Sequence, residues 1–466
     1  MVLKFVNRKI EVNLLEKRYE GSEFEFFVIY GRRRVGKTEL IKHFVKNKPH
    51  LYFLCDKSGT HRNAERFKKR MAEFLNEAPI ETNDFEEIFS HLVSRIKNRK
   101  LVIVFDEFSY LVEKDSAIPS IFQVIVDELL KNTKIFLILC GSSVSMMESG
   151  VLSKKSALYG RKTAHIKLNP LEFKSFFDFF PANNIEKNIE FYAALGGVPF
   201  YMEKFSEKQS TFENIRQQIF AKSGRLYEEV DFLLKEELRE PDVYKGILTA
   251  IASGQTKIVE IANKTGIKAY DMDKYLKVLI RLGLVKKESL VTSLKSKKSI
   301  YRIDDNFFSL SFSFSEPFKS NLEIGEFSAA EKKLKRDFNI YLGDKFEKLA
   351  RDELLSKTGI IQAQRIGSWW GHYRDEKTHQ RKSIEIDIVA LNDDTNEILF
   401  GECKWKSNVD GKKLLQILKE KASYVLWPDK QKNRKEYFVI FAKSFKNKTE
   451  GKDSICIDLS SKIFYN

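Results

Sequence analysis

Four continuous apolar runs mark the first third of the chain: Phe24–Tyr30, Leu51–Cys55, Leu101–Phe105 and Ile135–Cys140. Runs without alternation suit strands covered on both faces, as in a parallel sheet. Between them, apolar positions recur at helical spacing, as in Leu40, Ile41, Phe44 and Val45. Strand and helix in turn predict an α/β domain with a parallel sheet. From about 170 to 240 the pattern is helical, with Phe173, Phe176 and Phe177 followed by Phe191–Leu195 and a long charged stretch. From about 243 to 305 two short helices are expected, over Thr256–Asn263 and Tyr270–Leu282, joined by a turn containing Gly266. Two strands follow, Leu284–Lys287 and Ser299–Ile303, flanking a tip with Lys295, Lys297 and Lys298. That order outlines a winged helix. The polar stretch Ser320–Lys335 reads as a linker, and from about 338 the chain restarts as helix, strands, helix, strand. The expected division is therefore 1–168, 169–240, 241–318, a linker over 319–337, and 338–466, with no internal repeat.

Charge sharpens the choice of partner. Against 65 acidic residues stand 81 Lys and Arg, a net charge of +16. Such an excess favours a polyanion, most simply DNA, although a generally Lys-rich proteome gives the same balance. On the helix Tyr270–Leu282 and just before it, Lys268, Lys274, Lys277 and Arg281 are placed to meet phosphates. Cys55, Cys140, Cys403 and Cys456 form no CxxC pair and read as reduced core thiols. The first ten residues carry charges inside their apolar stretch, unlike a signal peptide. No run approaches the roughly 20 apolar residues of a membrane span. A cytoplasmic protein is expected.

The chemistry begins at Gly31, Arg32, Arg33, Arg34, Val35, Gly36, Lys37 and Thr38, which fit G-x-x-x-x-G-K-[ST] between an apolar strand and an amphipathic helix, with Glu39 next in line as a further candidate at the nucleotide. Glycines let successive N–H groups point at phosphate oxygens, and the helix N-terminus adds partial positive charge. Lys37 would neutralise the β- and γ-phosphates of ATP, and the Thr38 hydroxyl would ligate Mg2+. A second strand ends in Asp106-Glu107, at the sheet edge where ligands gather in open α/β folds. Asp106 would hold Mg2+, and Glu107 would polarise the attacking water. A third ends in Gly141-Ser142-Ser143, where Ser142 could reach the γ-phosphate or the water, or simply cap the next helix.

Together with Phe5-Val6-Asn7-Arg8-Lys9-Ile10-Glu11 and Val104–Phe108, these motifs resemble archaeal and bacterial ATPases of the AAA+/STAND class. Leu158-Tyr159-Gly160-Arg161, Leu168-Asn169-Pro170-Leu171 and Leu195-Gly196-Gly197-Val198-Pro199 extend the resemblance over residues 5–240. It implies a helical lid over the nucleotide and makes Arg161 a candidate nucleotide sensor, acting on its own subunit or a neighbour.

Near the C-terminus, Ile384–Ala390 alternates acidic and apolar side chains, and Ile398–Trp405 places Glu402 and Lys404 on one strand face with Cys403 on the other. Paired strands would bring Asp387 beside Glu402 and Lys404. Two carboxylates suit Mg2+ or Mn2+, and Lys404 could orient a water and stabilise a phosphorane-like transition state. A charged antiparallel sheet with surface ion pairs gives the same pattern. Asp387, Glu402-x-Lys404 and the helical acid Glu347 resemble the PD-(D/E)XK nucleases over residues 338–450, although no Pro precedes Asp387. Trp369, Trp370, His372 and His379 are expected between two strands, in an ordinary loop packed on the sheet or as a stacking surface for bases. The overall expectation is an α/β P-loop domain with a helical lid, a winged helix and a restriction-endonuclease-like domain, acting on DNA under ATP control. The alternative is an ATP-driven switch or DNA-binding regulator, oligomerising or binding a protein partner, whose C-terminal domain only docks.

Overall fold

The computed structural model describes residues 5–292, 299–374, 379–427 and 434–465. The expected wing tip, Lys295, Lys297 and Lys298, lies outside the described residues. The chain divides into two compact units: residues up to Leu171 together with Val198–Phe200, and Glu172–Gly197 together with residues from Tyr201 onward.

The first unit is built on helix α1 (Lys9–Glu20), β1 (Glu25–Tyr30), α2 (Lys37–Val45), β2 (His50–Leu54), α3 (Thr60–Leu75), α4 (Phe85–Ile96), β3 (Leu101–Asp106), β4 (Ile135–Gly141) and β5 (Ala164–Lys167). The sheet runs β2-β3-β4-β1-β5 with every pair parallel. Every residue of β3 and β4 is buried, which explains their unbroken apolar sequence. Alternation still sorts them between two cores. Phe26, Val28, Ile103, Phe105, Leu137 and Leu139 face one layer, while Phe27, Ile29, Val102, Val104, Phe136 and Ile138 face the other. The abundance of Phe is concentrated in the first layer, where Phe105 packs on Phe67 at 4.7 Å and on Phe122 at 5.2 Å between ring centres. Leu40, Ile41, Phe44 and Val45 of α2 fill the second layer.

In the second unit, α5 (Ile185–Leu195) precedes α6 (Pro241–Ala252), α7 (Ile258–Thr265) and α8 (Ala269–Arg281), then the antiparallel hairpin β6 (Val285–Ser289) and β7 (Ser299–Ile303), with Val285 opposite Ile303. Helices α9 (Asn306–Phe314) and α10 (Ser328–Leu349) follow. The stretch expected as a linker is helical. Ala330, Leu334, Phe338, Tyr341 and Leu342 give α10 a buried stripe at spacings of three and four residues, while its Lys and Glu face water. The Tyr341 hydroxyl donates to the carbonyls of Ala193 and Asn306, which fixes α10 against α5 and the start of α9.

A six-stranded sheet completes this unit: Glu450–Gly451, β12 (Ser454–Asp458), β11 (Lys435–Ala442), β10 (Glu397–Lys404), β9 (Arg381–Asn392) and β8 (Arg365–Arg374), in that spatial order. Helix α11 (Gly411–Ser423) connects β10 to β11, which pair in parallel, whereas β8, β9 and β10 are antiparallel. Trp369, Trp370 and His372 are not in a loop. They belong to β8, where Trp369 pairs with Ile386 and packs into the core, because β8 and β9 extend well past the residues expected to form strands. All four cysteines are free and buried. Among the described residues no helix is long and apolar enough to cross a membrane.

Candidate nucleotide site and a second carboxylate site

In the first unit, strands β3, β4 and β1 are neighbours and parallel, so the segments leaving their C-terminal ends meet at one edge. After β1 comes the phosphate-binding loop. Gly31 is obligatory there: its φ is 153°, and a Cβ would stand 2.4 Å from the Leu168 carbonyl oxygen. Gly36, with φ 96°, turns the chain into α2. Lys37 Nζ donates to the carbonyls of Gly31 and Arg32 at 2.9 and 3.0 Å, so its ammonium is held over the loop. Arg33 donates to the Tyr110 hydroxyl, and Arg34, at φ 70°, lies over the Phe200 ring at 3.8 Å. Val35 is fully buried. Its carbonyl accepts from Arg8, which also donates to the Asn169 carbonyl at 2.6 Å. That buried arginine ties the N-terminal segment and the stretch after β5 to the loop. Glu39, in the first turn of α2, lies 3.5 Å from Lys42 through its side chain.

After β3, Asp106 is 1% exposed and accepts from the Thr38 hydroxyl at 2.7 Å, the Tyr52 hydroxyl at 2.6 Å and the Glu107 N–H at 2.9 Å. A hydroxyl and a carboxylate side by side are the hard oxygen donors that Mg2+ prefers. Burial, then the Asp106 carboxylate beside it, pushes the Tyr52 hydroxyl well above its ordinary pKa, so it stays a donor. Tyr52 was not foreseen. It lies on β2, whose Leu54 pairs with Asp106, and it reaches that carboxylate from two residues upstream. Glu107 sits at φ 55°, an uncommon conformation for a residue with a side chain. Its carboxylate accepts from the Ser142 hydroxyl at 2.5 Å and the Ser142 N–H at 3.2 Å. Lys37, Thr38, Asp106, Glu107 and Ser142 are thus gathered at one edge.

Arg161 is not with them. It precedes β5, whose Ala164 pairs with Phe27, so it lies at the end of the sheet where β1 begins, and the loop lies where β1 finishes. At about 3.3 Å per residue that separates them by roughly 20 Å. Arg161 there grips Asp127 through Nε at 2.8 Å and a second nitrogen at 2.7 Å. This position, which sequence order alone does not reveal, sets Arg161 apart from the loop of its own subunit and pairs it with Asp127 instead.

Residues 5–205 match an ATPase domain found predominantly in Archaea, and residues 311–417 match archaeal and bacterial proteins of unknown function. An uncharacterized protein of Methanocaldococcus jannaschii is 38% identical over 462 residues, covering 98% of this chain and 99% of that one. The chain belongs to this archaeal ATPase family. An uncharacterized ATP-binding protein of the same organism is 49% identical over 47 residues, 10% of this chain and 80% of its own. In fold, the ATPase is similar to the Walker-type ATPase of Pyrococcus abyssi, with a TM-score of 0.50 at 18% identity, over 66% of this chain and 96% of that one. Nucleotide use follows from the family, and the donors around Thr38 and Asp106 fit the Mg2+ that usually accompanies it.

The second unit of the ATPase holds the other carboxylates. Strands β9 and β10 pair with Ile388 opposite Gly401, which puts Asp387 next to the end of β10. The Cys403 N–H donates to Asp387 Oδ2 at 2.8 Å, and Lys404 Nζ lies 4.0 Å from the same oxygen. Lys404 also donates to Glu402 at 2.8 Å. Lys421, on α11, donates to both oxygens of Glu402 at 3.0 and 2.8 Å. Nothing in the spacing of the motif pointed to Lys421, which reaches the site only because α11 packs back on the sheet. Glu347, near the end of α10, faces Asp387. Burial and then that neighbouring charge push Glu347 up to about 8, while burial and then Glu402 push Asp387 up to about 6. Asp387, Glu347, Glu402 and Lys404 therefore share one site. Among the described residues, no three His, Cys, Asp or Glu side chains are gathered as a cage for a metal. Glu402, expected as a metal ligand, has both oxygens on lysines, so the carboxyl groups that a divalent cation would relieve most are Asp387 and Glu347.

Proposed function

We propose that this ATPase couples ATP hydrolysis at Lys37, Thr38, Asp106 and Glu107 to divalent-metal-dependent cleavage of DNA at Asp387, Glu347 and Lys404. The observation that carries the reading is the Glu402-x-Lys404 strand lying against Asp387, with Glu347 facing that carboxylate from a helix. The order α10, β8–β10, α11, β11 supports a restriction-endonuclease-like domain. A bound Mg2+ or Mn2+ would supply Lewis-acid assistance to a phosphodiester. Lys404 supplies positive charge beside the reacting phosphate, and Lys421 holds Glu402 in place. Helices α6–α8 with the β6–β7 hairpin have the outline of a winged helix, and the net charge of +16 favours a nucleic-acid partner. On α8, Lys274 and Lys277 are exposed but lie near Asp271 and Asp273, so phosphate contacts there compete with these acids.

A second reading rests on Lys421. With both oxygens of Glu402 held by lysines, the C-terminal sheet is suited to a docking module driven by ATP binding. Incubating supercoiled, linear and single-stranded DNA with Mg2+ or Mn2+, with and without ATP, separates the two. Cleavage lost in Lys404→Ala and altered in Lys37→Ala supports the nuclease. Intact DNA in every condition, with ATP hydrolysis retained except in Lys37→Ala, sinks it in favour of the switch.

A further inference from the structure

Beside Asp387, the second unit contains a cavity of about 280 Å3, bounded by the β6–β7 hairpin, α10 and β9. Most of its cations already have partners. Lys286 lies 3.4 Å from Asp352, Arg302 is 3.4 Å from Glu288, Lys348 is 3.0 Å from Asp304, and Arg351 is 3.2 Å from Glu288. Lys345 is different. It lines the cavity and is 8% exposed, yet among the described residues no hydrogen bond or ion pair reaches its ammonium. Its ammonium lies 5.1 Å from the centre of the Tyr341 ring. Lys348 repels it, and Asp344, Asp304 and Asp305 attract it. A buried ammonium without an anion is costly. A charge kept in such a place, against a cavity, is complementary to an anion that arrives from outside.

We propose that Lys345 binds a backbone phosphate of a single nucleic-acid strand, one nucleotide of which occupies this cavity while the adjoining phosphodiester meets Asp387 and Glu347. This rests on the nuclease reading and adds the form of its substrate. At about 280 Å3 the cavity lies just under the usual range for small-ligand pockets, a size suited to one nucleotide and far too small for a double helix. Its wall includes Thr256, Ser313 and Ser368, whose side chains can pair with a sugar or base edge. A duplex substrate must therefore present a frayed end or a displaced strand.

Binding of a fluorescent single-stranded oligonucleotide to the full chain, followed by anisotropy in EDTA, tests the site without requiring cleavage. Lys345→Met is expected to weaken binding at least tenfold. ATP hydrolysis should be unchanged and the melting temperature unchanged or higher, because a buried unpartnered charge has been removed. Lys345→Arg is expected to restore most of the affinity. Wild-type affinity in Lys345→Met, or in Lys345→Gln should the Met variant not fold, overturns the proposal. So does an unlabelled deoxynucleoside monophosphate that competes as well as the strand with the same Lys345 dependence, which makes the cavity a free-nucleotide site. Lys345-dependent binding beside a wild type that cuts nothing in Mg2+ or Mn2+ removes the nuclease reading alone.

Discussion

Replacing Glu347 by glutamine removes the ionisable group that faces Asp387 and keeps its shape. The folded chain holds the Glu347 proton up to about pH 8, whereas the ordinary value is 4.5. Between those limits the folded state binds a proton that the unfolded state has released. Its stabilising contribution is complete below about pH 4.5 and is lost as pH rises toward 8, at up to about 1.4 kcal/mol per unit. At pH 7 the loss amounts to about 3 kcal/mol, reduced to about 2 kcal/mol by the water that reaches this part-buried site. Glu347→Gln should therefore raise the melting temperature of the second unit near neutral pH by roughly 5 °C. The gain should vanish near pH 5. Differential scanning fluorimetry from pH 5 to 8.5 measures it, and the difference between wild type and variant cancels the titrations they share. Added Mn2+ should favour the ionised pair and stabilise the wild type more than the variant. Wild-type and variant curves that run parallel across the whole range refute the reasoning.

Tyr52→Phe removes a hydroxyl donor to the buried Asp106 carboxylate, a loss of about 1.5–3 kcal/mol that calorimetry should register as a melting point several degrees lower. An unchanged melting point would mean that Asp106 has another donor in solution. Arg161→Ala breaks the pair with Asp127 but should leave the affinity of the isolated subunit for a fluorescent ATP analogue within twofold of wild type. A tenfold loss at high dilution would place Arg161 at its own nucleotide after all.

The parallel sheet was legible because β1, β3 and β4 are covered on both faces, which leaves runs such as Leu101–Phe105 with no polar interruption. The loop from Gly31 to Thr38 was legible because its glycine positions, lysine and hydroxyl answer to one chemistry. Tyr52 was hidden, since a tyrosine within a strand has many ordinary reasons to be there. Its role depends on the pairing of Leu54 with Asp106, which spacing along the chain does not encode. Charge misled at α10. The Lys and Glu residues of its wet face suggested a linker, although Ala330, Leu334, Phe338 and Tyr341 already had helical spacing. In the C-terminal sheet the juxtaposition of Asp387 with Lys404 could be anticipated from alternation. The lysine pair around Glu402 could not, because Lys421 enters from a helix that packs across the sheet.

Pro199 and Phe200 give the first unit an unusual dependence on timing. The chain leaves that unit at Leu171, comes back for Val198–Phe200, and departs again. Those three residues are not incidental: Phe200 underlies Arg34 of the loop, and Pro199 packs beside Gly36. During synthesis, then, the loop from Gly31 to Thr38 emerges early but waits for its platform until after α5 has been made. No single cut isolates the nucleotide-binding unit, because a fragment ending at Leu171 carries every residue of the loop without the ring on which Arg34 rests.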